Sequence, residues 1–70
     1  MNYKKDINYL KETINIYKNI IKYDNIFNIV FDILLTYSIN YNYEIKNIIN
    51  KENIIKEMKN LIKHIEKRNN

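Results

Sequence analysis

The sequence predicts an all-α protein, a long antiparallel two-helix hairpin with its second arm kinked or broken near Asn50-Asn53. Three observations predict it. Apolar residues recur at alternating spacings of four and three over most of the chain. Glycine and proline are both absent, and the tight turns of a β-barrel or sandwich lean on those residues. The 70 residues suffice for one domain, which would bury about 60% of the surface of its unfolded chain.

The first arm is expected from about Asp6 to Ser38. The series Ile16, Ile20, Tyr23, Phe27, Val30, Leu34, Tyr37 advances by 4, 3, 4, 3, 4, 3, and Tyr9 and Thr13 extend it backwards. A second, shorter stripe, Ile7, Leu10, Ile14, Tyr17, Ile21, widens the apolar face of the first half. A continuous helix would be roughly 45–50 Å long. The competing reading breaks it at Asp24-Asn25, where Asp24 would serve as an N-cap. The continuous helix is preferred because the stripe crosses that point in phase.

The turn is placed at about residues 38–42, Ser38-Ile39-Asn40-Tyr41-Asn42. With no glycine available, Asn40 or Asn42 is best able to take the left-handed conformation that ends a helix. The second arm is expected over about residues 43–67. Ile54, Ile55, Met58, Leu61, Ile62 and Ile65 share one face there, whereas Ile45, Ile48 and Ile49 lie roughly 130° away. A kink, or a short break capped by Asn50, must absorb that shift. Glu52 and Lys56, at i and i+4, are expected to support the helix surface.

Composition bounds function. Ile, Asn, Lys and Tyr supply 48 of the 70 residues. All four have A/T-rich codons, so the bias is a genome signature before it is a functional one. Twelve Lys and Arg against eight Asp and Glu leave a net charge of +4. With no cysteine there is no disulfide framework or thiolate metal site. The start, MNYKKDINYL, lacks a signal-peptide core. The most apolar run, Ile26 to Ile39, is about 14 residues long and is expected not to span a membrane, which takes about 20.

No catalytic set can be assembled, and neither an enzymatic role nor a cofactor or metal is expected. His64 is the single histidine, expected at the surface near a helix C-terminus, where a cation is favourable. Asp32 lies inside the most apolar run but across from the Phe27/Leu34 stripe, where it can reach water or a lysine. The lysines are better ordered. Lys4, Lys11, Lys18 and Lys22 form one strip of the first arm, and Lys56, Lys59, Lys63 and Lys67 form another in the second. Such rows suit phosphates, whose contacts dominate nucleic-acid affinity; a solvated lysine face is the plainer reading. Asn8 and Asn15 flank the first strip. Tyr9, Tyr23 and Tyr37 belong to the core stripe, which leaves Tyr3, Tyr41 and Tyr43 to stack on bases.

The segment Phe27-Asn28-Ile29-Val30-Phe31, preceded by Ile26, resembles the Leu-Phe-Asn-Leu-Arg-Phe-Gln signature of the bacterial-type large-ribosomal-subunit protein 29 family. Ile45-Lys46-Asn47-Ile48 resembles the family's Ile-Arg-x-Val pattern, and Asn53-Ile54-Ile55-Lys56 loosely resembles its Asp-Ile-Ala-Arg block. Val30 stands where the signature has a basic residue and Asp32 where it has Gln. The later blocks lie two residues further apart here than in the family, around Asn50. The likeness covers about Ile7 to Lys59, and its specificity lies in Phe27–Phe31. It implies a long helical hairpin that binds large-subunit ribosomal RNA near the nascent-chain exit, beside large-subunit protein 23. Lys46 then joins the eight strip lysines as an RNA-binding candidate. The A/T bias points to a relict plastid or mitochondrial ribosome, or alternatively to the cytoplasm of an A/T-rich bacterium or endosymbiont. The alternative function is a helical hairpin that homodimerises into a four-helix bundle through the Ile16–Tyr37 seam, as a viral, phage or plasmid regulator would.

Overall fold

The computed structural model describes residues 2–20 and 24–69, with the side chain of Asp24 outside the description. The described residues are all-helical in their regular structure: α1 spans Tyr3–Ile20, α2 Asp24–Asn40 and α3 Ile54–Arg68. Each helix packs on the other two. The Cα radius of gyration is 11.5 Å, close to the about 11 Å expected of a compact chain this long.

Asn2 starts α1 earlier than predicted. Its side-chain oxygen accepts the Lys5 N–H at 3.2 Å and its carbonyl accepts the Asp6 N–H at 3.1 Å, which satisfies two of the donors a helix start leaves open. The single rod of residues 6–38 is not what forms. α1 and α2 are separate helices that run antiparallel: the ring of Tyr9, early in α1, lies 5.7 Å from that of Tyr37, late in α2, and Asp6 accepts the Tyr41 hydroxyl; α2 begins at Asp24, where the competing reading placed its break. Periodicity that continues in phase does not require a continuous helix. A straight rod would also leave its apolar face without a partner, and folding back covers it. Tyr23, Ile21 and Lys22 lie outside the described residues.

The core corrects the order of the two stripes. In α1 the shorter stripe is the buried one: Ile7, Leu10, Ile14 and Tyr17 are sealed, with Leu10 at 0% exposure. Tyr9 and Ile16 of the longer stripe are 46% and 56% exposed. Val30 and Leu34 of α2 and Ile54, Met58, Leu61, Ile62 and Ile65 of α3 complete the core.

The turn is as expected in kind. Asn42 has a φ of 54°; the Tyr43 N–H reaches back to the Ser38 carbonyl at 2.8 Å, and the Asn42 N–H to the Ile39 carbonyl at 3.3 Å. That is a Schellman ending with asparagine in place of glycine. The second arm is corrected more heavily. Only Ile54–Arg68 is helical, and residues 41–53 form an irregular crossing strap. Asparagine and β-branched isoleucine are weak helix formers, and the strap instead packs Tyr41, Tyr43, Ile45 and Ile49 on the core. Asn50 makes the break: its side-chain oxygen accepts the N–H groups of Glu52 at 2.9 Å and Asn53 at 3.0 Å. The Asn53 amide returns a bond to the Ile48 carbonyl at 2.7 Å. Glu52 therefore precedes α3, and the expected i,i+4 pair with Lys56 is not within one helix.

Candidate nucleic-acid interface

Lys4, Lys11 and Lys18 recur every seven residues on α1 and are exposed. Their row runs beside the buried Ile7/Ile14 line, on the edge of α1 that adjoins α3. There Lys4, Tyr3, Ile7 and Asn8 share a shallow cleft with Glu66 of α3. Lys59 is seven residues before Glu66 and so lies, exposed, on the same edge of α3. Four candidate lysines, Lys4, Lys11, Lys18 and Lys59, thus share the α1–α3 face. Lys56, Lys63 and Lys67 are exposed on the back of α3, opposite Ile54 and Met58. Lys46 is exposed but apart from them. Its strap packs through Tyr43 and Asn47 against Glu57, which is nine residues from Glu66 and hence on the opposite edge of α3. Lys22 lies outside the described residues. Asn8 and Asn15 are exposed beside the row.

Two of the three tyrosines expected to stack on bases are otherwise engaged. Tyr41 is 8% exposed, and its hydroxyl donates to Asp6. Burial first, then that bond and the Asp6 charge, push its ionisation up to about 12. The Tyr43 hydroxyl donates to Glu57 Oε2 at 3.0 Å, and its ring sits 5.3 Å from that of His64. Burial and the Glu57 carboxylate raise its pKa too. Tyr37 is raised by burial and by Asp6 and Tyr9. Tyr3 is half-buried at the rim of the α1–α3 cleft.

His64 does more than sit at the surface. Its Nε2 is 2.9 Å from the Tyr41 carbonyl oxygen, which also accepts Arg68 Nη1 at 3.1 Å. A carbonyl only accepts, so Nε2 carries the proton. Glu57, 4% exposed, was not singled out by its sequence position. It accepts Tyr43 through one oxygen and Asn47 Nδ2 at 3.1 Å through the other. A buried carboxylate needs such partners, and the sequence signal for it is weak: Glu57 is the one acid flanking the apolar face of α3 that two polar strap side chains can reach. Asp32 is exposed, as expected. Among the described residues no group of three His, Cys, Asp or Glu could hold a metal ion, and no helix is long and apolar enough to cross a membrane. Comparison with protein-family models, curated proteins and solved structures returned no match.

Proposed function

We propose that this protein is a non-catalytic RNA-binding protein that lays the lysine-bearing face of α1 and α3 against phosphates, and that its setting is the large ribosomal subunit. The observation that carries the RNA reading is the exposed row Lys4, Lys11, Lys18 beside Lys59. Successive ammonium groups in the row stand about 10 Å apart on a rigid helix, so the positive charge is placed before the RNA arrives. Four phosphate contacts would give log affinity against log salt a slope of about −3 on single-stranded RNA.

The ribosomal setting is supported by the Phe27–Phe31 resemblance, by size and by the basic rows. It draws no support from the fold, because the family's long hairpin and this three-helix arrangement differ. In that setting the partners are large-subunit ribosomal RNA near the nascent-chain exit and the neighbouring large-subunit protein 23, in a relict plastid or mitochondrial ribosome.

Co-sedimentation with large subunits followed by a graded salt wash tests it. The chain should pellet with the subunits and leave them at high salt. Reversing Lys11 and Lys18 to Glu should weaken binding about tenfold or more, and more than reversing Lys5 and Lys51. Equal losses would remove the α1 row from the interface. Binding to RNA oligonucleotides but not to subunits would leave the RNA reading without the ribosome.

A further inference from the structure

The cleft between the start of α1 and the end of α3 holds more than a lysine. Its volume is about 540 Å³, in the range of small-ligand sites. Ile7, 7% exposed, gives it an apolar wall. Tyr3 stands half-buried at the rim with its ring packed on the core. Lys4, Asn8 and Glu66 are exposed around it. An aromatic ring, an ammonium, an amide and a carboxylate therefore meet in one place.

Glu66 is the informative member. A carboxylate on a phosphate-binding face repels phosphate, so its place there calls for a ligand that brings N–H donors. Among the described residues none bonds to the Glu66 side chain, and Lys4 lines the same cleft without pairing to it. The phosphates of a nucleic acid bring no such donors. Its bases do.

We propose that the cleft takes one unpaired guanine of the RNA held by the lysine row. The inference rests on the RNA reading and adds a base preference to it. The Watson–Crick edge of guanine carries two adjacent donors, N1–H and the N2 amine, which one carboxylate accepts in parallel through its two oxygens. Adenine and cytosine set their amine beside a ring-nitrogen acceptor, and uracil sets its N–H between two carbonyls. Each of those bases would turn an acceptor towards Glu66. In a duplex both guanine donors are already bonded to cytosine, so the guanine must be unpaired, the state in which RNA is read by sequence. Tyr3 supplies a ring for the base to stack on, the Asn8 amide a donor for the neighbouring O6, and Lys4 a charge for the nearest phosphate.

The cleft is also in line with the row. α1 and α3 pack together with Lys4 and Glu66 meeting at opposite ends of their helices, so the two run antiparallel. Lys11 lies seven residues after Lys4 and Lys59 seven before Glu66, which sets both about 10 Å along the same face. A strand anchored by its base at the cleft continues onto those two ammonium groups.

Fluorescence anisotropy of the full chain with labelled single-stranded RNA is the test. The probes are oligouridylate and the same strand with one central guanosine, adenosine or inosine. Guanosine should bind about tenfold tighter than uridine or adenosine, with inosine, which lacks the N2 amine, in between. Glu66→Gln replaces one acceptor of the pair by a donor. It should bring guanosine down to the level of uridine without weakening oligouridylate. Lys11→Glu with Lys18→Glu should instead lower all the affinities together and keep the guanosine ratio. Equal binding of every strand, or a guanosine preference that survives Glu66→Gln, would overturn the guanine site and leave the RNA reading standing. Binding to none of them would remove the RNA reading itself, and the guanine site with it.

Discussion

Tyr41 joins all three helices through one residue. It follows α2, its hydroxyl holds Asp6 of α1, and its carbonyl is held by His64 and Arg68 of α3. Its hydroxyl gives a pH prediction with a definite sign. An unfolded tyrosine ionises near the ordinary value of 10.0 and the folded one near 12, so the protonated phenol favours the folded state. That contribution is whole below about pH 10 and is lost as pH rises through about 12. Urea midpoints should therefore hold level from neutral pH to about pH 10 and then fall. Tyr41→Phe should fall less steeply and be less stable at neutral pH by about 1–3 kcal/mol, because it strips a partner from a half-buried carboxylate. An unchanged alkaline limb would mean that the Asp6 contact does not hold in solution.

At the scale of the elements, side-chain amides do the work that glycine and proline do elsewhere. Asn42 closes α2 in the left-handed region, and Asn50 with Asn53 ends the strap one residue before α3. A left-handed residue bearing a Cβ is costly unless its side chain compensates. Asn42→Ala should accordingly cost about 1 kcal/mol in denaturant unfolding, while Asn42→Gly should cost nothing or stabilise. If alanine were tolerated, the Schellman ending would not be the conformation in solution. The strap also explains why α2 and α3 run parallel. It carries the chain from the end of α2, where Tyr41 meets His64 and Arg68, back past Glu57 to the start of α3.

For the whole molecule, a stability of about 0.05–0.15 kcal/mol per residue leaves little to lose. Leu10 is 0% exposed and packs where the three helices meet. Leu10→Ala should cost about 2–5 kcal/mol and unfold a large fraction of the chain at ambient temperature, read by circular dichroism. Phe27 is half-buried, stacked on Phe31 with ring centres 5.9 Å apart, so Phe27→Ala should cost less than Leu10→Ala. The reverse order would restore the longer stripe as the core. At this scale the molecule has two faces of different kind, a basic one along α1 and α3 and an apolar one along α1 and α2.

Much of this was legible in the residues alone. The 3–4 spacing made the protein helical, the lack of glycine pointed to asparagine at the turn, and the phase shift after Ile49 located a break that Asn50 forms. The solvent-facing placement of the described lysines and of Asp32 was legible too, because charge on the far side of an apolar stripe has one sensible place to go. Three things were decided only by tertiary structure: the antiparallel packing of α1 on α2, which takes the break at Asp24 over the continuous helix, the burial of Ile7–Tyr17 rather than Tyr9–Ile16, and the packing of the strap's Tyr41 and Tyr43 and of Glu57 against each other's elements. Periodicity is a property of one helix and reports which of its sides is apolar. Which apolar side is covered depends on where the other helices lie, and no spacing within a single helix contains that.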